Sequence, residues 1–203
     1  VKSVLVDLND AAATLPNSYN SVENITPLET PLSSTINGAA LATPVFLSLY
    51  AENDLRLDKY FAETDEKGFR KNKKAGSNNY LCTFRVGEIY LTAAEAAARL
   101  GELSQARTRL LELMRKRYAP EAYEAKSVVV NAMDKEALVQ EILDERAREL
   151  AFEGHRWFDL RRSTRPRLEK VLDGTRYVLE ENDARYTLAI PKEAIEANPG
   201  LLN

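Results

Sequence analysis

Apolar and polar positions change their rhythm near residue 80. From Phe84 to Leu100 the polar residues Arg85, Glu88, Thr92, Glu95 and Arg99 recur at alternating spacings of three and four, which lines them along one side of a helix. Nearly everything between them is small or apolar. The spacing therefore predicts a mostly buried helix over 84–100, with alanines that let neighbours approach closely. Gly101 breaks it, and Ser104 suits the N-cap of a second helix over 104–118. That helix carries Ala106, Leu110, Leu113, Met114 and Arg117 on one side. So short a turn between two helices predicts an antiparallel hairpin. "APEAYEAKSVVVNAMD" reads as a connector with a short extended piece. Asp134 is placed to cap a third helix running to about Phe152, Gly154 ends it, and "HRWFDLRR" begins a short fourth. The tail "RYTLAIPKEAIEANPGLLN" predicts a strand-like piece, then a helix with Pro191 at its first position and Pro199 as its stop.

Residues 1–80 lack this order. Pro16, Pro27, Pro31 and Pro44 punctuate a run filled with Ser, Thr and Asn, the chemistry of loops and short strands. "VKSVLVDL" alternates as a short strand does, 45–61 predicts a helix followed by a turn, and 66–80 reads as a basic loop or hairpin tip. Two regions follow: an irregular, loop-rich segment over 1–80 and a helical region over 81–203.

The third helix raises the main chemical question. On a helical wheel Leu138, Val139, Ile142, Leu143, Ala147 and Leu150 share one face, and Arg146, Glu149 and Glu153 fall within it, whereas Glu145 and Arg148 lie off it. Charge on a core-facing stripe is costly unless paired and hydrogen-bonded. Arg85, Glu88 and Glu95 form a second stripe in need of partners. The economical arrangement brings the two stripes together as a buried network of Arg85, Glu88, Glu95, Arg146, Glu149 and Glu153, with guanidinium forks each able to take two carboxylates. The same paired carboxylates are also what a glycoside hydrolase uses. A neighbouring Arg, however, lowers a carboxylate pKa, the wrong direction for a general acid.

Composition narrows the options. Charged residues make up 29% of the 203 positions and nearly balance at a net −3, against 44% apolar residues. That leaves no basic field for nucleic acid. No apolar run reaches the length of a membrane span. One Cys (Cys82) and one His (His155) exclude an internal disulfide and the usual His/Cys metal cages, so no metal or other cofactor is expected. His155 reads as a hydrogen-bonding residue at a helix start, and Trp157 and Phe158 read as core anchors. The opening "VKSVLVDLND" has no Met and no lipid-attachment Cys and reads as an internal starting point.

Three ordered blocks carry a resemblance: "TFRVGEIYLTAAEAAARLGELSQARTRLLELMRKR", "ILDERARELAFEGHRWFDLRR" and "YTLAIPKEAIEANPGLLN". Together they resemble the carboxy-terminal half of the SusD/RagB family, and "NDLRLDKYF" over 53–61 resembles a D-x-R segment found earlier in such chains. The resemblance covers roughly 81–203. It implies a mainly α-helical, tetratricopeptide-like fold and a non-catalytic protein. It further implies a lipid anchor upstream of this chain, on the extracellular face of the outer membrane of Bacteroidetes-type bacteria. Such proteins bind glycans or other nutrients and serve a SusC-like TonB-dependent transporter. The family's signature helices name no ligand residues. Sugar sites pair aromatic faces with amides and carboxylates, which makes Asn17, Tyr19, Asn20, Tyr50 and Tyr80 the candidates. Two alternatives stay open: a helical-repeat protein–protein interaction module, and a glycoside hydrolase acting through Glu149 and Glu153.

Overall fold

The computed structural model describes residues 24–28, 41–73, 81–172, 174–187, 190–198 and 200; for 24–28, 81–84 and 172 it describes the backbone alone. By packing, the chain divides into two units, Val1–His155 and Arg156–Asn203.

The first unit begins with β1 (Asn24–Leu28), β2 (Leu41–Ala42), α1 (Pro44–Leu47), α2 (Arg56–Tyr60), β3 (Phe61–Thr64) and β4 (Arg70–Asn72). Strands β3 and β4 pair antiparallel, and β2 adds to the other side of β4. The turn between β3 and β4 is built on Asp65, whose Oδ1 accepts from the Lys67 and Phe69 amides at 2.9 and 2.8 Å. Residues 45–61 thus hold two short helices instead of one, and 66–72 contribute a strand. The expected strand over 1–8 lies outside the described residues.

Strand β5 (Leu81–Arg85) pairs antiparallel with β1 and runs into α3 (Val86–Leu100). Arg85 is still extended, at φ −114° and ψ 153°, so the helix starts two residues later than the expected position 84. Gly101, in the left-handed region at φ +89°, stops it and donates its amide to the Ala97 and Ala98 carbonyls. Helix α4 (Leu103–Met114) follows at once. Its N-cap is Glu102 with no side-chain bond, so Ser104 is not the cap.

Helix α5 (Pro120–Ala132) replaces the expected extended connector. Pro120 opens the helix, and Ala122, Tyr123 and Val130 pack on the main core. Tertiary burial overrides the weak helix propensity of three consecutive valines. Helix α6 (Lys135–Glu149) is capped by Asp134, which accepts from the Ala137 amide at 2.9 Å. The main core is mostly small and aliphatic: Leu91, Ala94, Ala97 and Ala98 of α3, Ala106, Leu110 and Met114 of α4, Leu138 and Ile142 of α6. A separate aromatic cluster forms where Tyr50 and Phe61 meet edge to face at 5.4 Å, with Phe61 and Phe152 at 6.0 Å. Phe152 takes a positive φ of 61° and Gly154 one of 85° in the turn that follows α6.

Helix α7 (His155–Arg162) carries the chain into the second unit, where a regular hairpin of β6 (Leu168–Leu172) and β7 (Thr175–Leu179) follows, with Leu168 opposite Leu179. The expected strand at "RYTLAI" is instead a 3₁₀ turn over Ala184–Tyr186, with 188 and 189 outside the described residues. Helix α8 (Lys192–Ala197) begins one residue after Pro191, which caps it. Trp157 stacks on Tyr186, while Phe158, at 62% exposure, is a surface residue and no core anchor.

Candidate functional site

The most charged part of the molecule is also among its most buried. Helix α6 contributes Glu141, Glu145, Arg148 and Glu149, the turn after it Glu153, β5 Arg85, the end of the α3–α4 hairpin Arg117 and Tyr118, and the loop before α2 Asp54 with Arg56. The loop is fixed to the hairpin by its backbone. The Leu55 amide donates to the Arg117 carbonyl at 2.9 Å, and the Ala119 amide donates to the Asn53 carbonyl at 3.1 Å.

Arg56 sits at the centre with a side chain only 2% exposed. Its Nε and NH2 grip both oxygens of Asp54 at 2.9 and 2.7 Å. Its NH1 reaches Glu145 Oε1 at 2.7 Å and Glu149 Oε2 at 3.0 Å. Arg117 closes a second fork on Glu149, at 2.8 and 2.9 Å. Arg85 bonds Glu149 Oε1 at 3.2 Å, the Glu149 carbonyl at 2.9 Å and Glu153 at 2.8 Å. Arg148 ties Glu145 at 2.8 Å to Glu141 at 2.6 Å. The Tyr118 hydroxyl donates to Glu145 Oε2 at 3.2 Å, and burial, with Glu145 beside it, pushes its pKa up so that it stays a neutral donor. Gly87 leaves room for this packing: a Cβ there would lie 3.0 Å from Glu149 Oε1.

The electrostatics follow from the geometry. Burial acts to raise the pKa of Glu149, but Arg117, Arg85 and Arg56 outweigh it and hold the carboxyl well below the usual range. Glu145 is likewise lowered, Arg56 and Arg148 overcoming its burial. Each guanidinium is answered by a carboxylate, the condition under which charge is tolerated in a low-dielectric interior. Carboxyls held ionised in this way have no proton to donate, so Glu145 and Glu149 cannot serve as general acids.

Several expectations need correction. Arg85, Glu149 and Glu153 do meet. Glu88 instead faces His155, whose Nδ1 is 3.7 Å from its Oε1, a contact that is ionic only when the imidazole is protonated. Arg146 does reach from α6 to the polar stripe of α3, donating to Thr92 at 3.1 Å, and the contacts of Glu95 include Arg99 of its own helix at 2.9 Å. Glu145 and Arg148, read as off the buried face, are 0% and 3% exposed. The reason is that α6 is covered on a second side by the 49–56 loop, where Arg148 also donates to the Leu49 carbonyl. Asp54, Arg56 and Arg117 were missed as network members. The Asp-x-Arg spacing of "NDLR" is one local signal, since the Arg56 amide and fork both return to Asp54; the place of Arg117 on the apolar side of its expected helix is another.

Of the proposed ligand residues, Asn17, Tyr19, Asn20 and Tyr80 lie outside the described residues. Tyr50 is not an open contact: it is 6% exposed, its ring lies in the aromatic cluster, and its hydroxyl donates to the Arg148 carbonyl at 2.7 Å. Among the described residues no group of three or more His, Cys, Asp or Glu could hold a metal ion.

The chain is similar to the crystal structure of a SusD-like carbohydrate binding protein from Bacteroides vulgatus ATCC 8482 at 1.70 Å resolution, with a TM-score of 0.58 and 18% identity. The match covers 94% of this chain and 50% of that one, so the chain spans half the length of this relative, and the likeness is one of fold. No curated protein matches it. The model of the SusD family matches residues 39–203, which takes in α1 through α8 and every described member of the network, and on that match the chain belongs to the SusD family.

Proposed function

We propose that this chain takes part in non-catalytic capture of a glycan or related nutrient at the bacterial cell surface, for delivery to a SusC-like TonB-dependent outer-membrane transporter. The observation that carries the reading is the SusD-family match over residues 39–203. The shared fold with a protein described as a SusD-like carbohydrate binding protein supports it. The buried network supports the non-catalytic part, because Glu145 and Glu149 are closed off by arginines. In this reading the helices and their ion pairs are scaffold, and irregular segments, including Asn17, Tyr19, Asn20 and Tyr80, supply ligand contacts. A lipid anchor on the extracellular side would place it beside the transporter.

Isothermal calorimetry of the purified protein against a panel of oligosaccharides tests the capture. Binding heat with no release of reducing ends is the expected result. An absence of heat across the panel, with no transporter co-purifying from cells, would overturn the reading; turnover lost in Glu149→Gln would restore the hydrolase.

A further inference from the structure

The hairpin of the second unit leaves one strand uncovered. Its register is regular, from Leu168–Leu179 through Glu169–Val178, Lys170–Tyr177 and Val171–Arg176 to Leu172–Thr175. In an antiparallel ladder, hydrogen-bonded pairs alternate with non-bonded ones. Two residues separate Leu172 from Thr175, and so short a turn closes on a bonded pair. Leu172, Lys170 and Leu168 therefore bond β7, and Glu169 and Val171 turn their N–H and C=O groups away from it. Val178, opposite Glu169, obeys the same alternation: its carbonyl points off the outer edge of β7 and accepts from Arg185 NH2 at 2.9 Å. The outer edge of β6 has no such cover. The main-chain N–H and C=O groups of Glu169 and Val171 have no partner among the described residues. Residues 168–171 are all exposed, Val171 at 62%, whereas Val178 and Leu179 of β7 are half-buried.

The side chains of β6 define what fits this edge. Glu169 is already answered by Arg167 at 2.9 Å and Arg176 at 2.6 Å. Lys170, on the opposite face of the strand, has no carboxylate partner among the described residues. A second copy is a poor match. Antiparallel pairing that engages all five residues of β6 with those of another β6 turns about Lys170 and sets Lys170 against Lys170. Like charges directly opposite one another are destabilising, and a lysine on an edge strand is a common guard against self-association. An acidic residue in that place removes the conflict and supplies the missing counter-charge. An apolar residue next to it meets the exposed Val171.

We propose that β6 is a docking edge for an extended acidic segment of a partner protein, which adds as a third strand with a carboxylate opposite Lys170 and an apolar side chain opposite Val171. Main-chain bonds to Glu169 and Val171 supply the attachment and the side chains supply the selection, the usual division in strand addition. A two-stranded hairpin is marginal by itself, and a third strand makes it firmer. This interaction goes beyond glycan capture and does not depend on it.

The probe is the capped peptide Thr-Val-Glu-Thr-Val-Thr, which in antiparallel register sets its glutamate against Lys170 and its first valine against Val171. The whole protein is titrated with it, and with the version carrying Lys in place of Glu, while amide resonances are followed by NMR. The expected result is saturable shifts at 168–171, slowed amide exchange at Glu169 and Val171, and affinity for the acidic peptide about 10-fold above that for the lysine version. Added salt narrows the gap, and Lys170→Glu reverses the preference. Methylating the second and fourth amide nitrogens of the peptide, which face β6, abolishes binding. Val171→Pro does the same and leaves the bonds between β6 and β7 intact, since the lost N–H points away from β7. An absence of shifts at 168–171, equal affinity for the two peptides, or binding that survives amide methylation overturns the proposal. Shifts at 168–171 that grow with protein concentration in the absence of peptide also overturn it, in favour of a second copy on this edge.

Discussion

Glu149→Gln perturbs the network at its most connected point. The substitution keeps size and shape but removes one negative charge from a side chain that is 0% exposed. In the parent, its two oxygens accept from Arg56, Arg117 and Arg85. In the variant, one oxygen remains and the amide NH2 points its donors at guanidinium donors. Three arginines are then left in the interior with too little counter-charge. Breaking a buried ion pair by removing one partner costs about 3–5 kcal/mol, against a typical total stability of about 5–15 kcal/mol. For a chain of this size each kcal/mol moves the melting temperature by about 2–4 °C, so the expected fall is roughly 6–20 °C. Circular dichroism during thermal and urea unfolding at neutral pH measures it. Arg99→Gln is the control. The pair of Arg99 with Glu95 has an arginine side chain 49% exposed, and its loss should cost about 0–1 kcal/mol. If Glu149→Gln were no more costly than Arg99→Gln, the network would not be holding α6 to the 49–56 loop, and the scaffold reading would be refuted.

Three further outcomes follow from the same geometry. Glu145 and Glu149 have pKa values lowered from 4.5, so below that pH the unfolded chain binds protons that the folded chain does not; their stabilisation is complete above about pH 4.5 and is lost as pH falls through the folded values. Urea midpoints measured from pH 7 to pH 3 should fall with acid, and should fall less steeply in Glu149→Gln. Gly87→Ala should cost about 1–3 kcal/mol in urea unfolding, although Ala is the better helix former, because its Cβ would crowd Glu149 Oε1 at 3.0 Å; a stabilised variant would show that the carboxylate has room to move. Tyr50→Phe should lower stability by about 1 kcal/mol through the lost bond to the Arg148 carbonyl, and calorimetry should find glycan affinity unchanged, since the ring is a core element.

Local pattern and long-range packing contributed differently to what could be foreseen. Helices α3, α4 and α6 were legible because each carries its own periodic apolar face and its own punctuation, in Gly101 and Asp134. Helix α5 was not, because its helical state depends on Ala122, Tyr123 and Val130 finding a core built by other helices. The need for paired charge on α6 was legible for a similar local reason: Arg and Glu interrupt an apolar stripe within one helix.

The sequence alone determined that these charges must be neutralised, since an unpaired ion in an apolar interior is too costly to persist. Only the tertiary structure decided which groups neutralise them. Arg56 reaches Glu145 and Glu149 across 89 and 93 residues of chain, and Arg117 reaches Glu149 across 32. Pairings at such distances depend on how the loop before α2 closes over α6, and no periodicity within either segment records that closure. The same holds for Trp157, whose stacking partner Tyr186 arrives from a separate 3₁₀ turn.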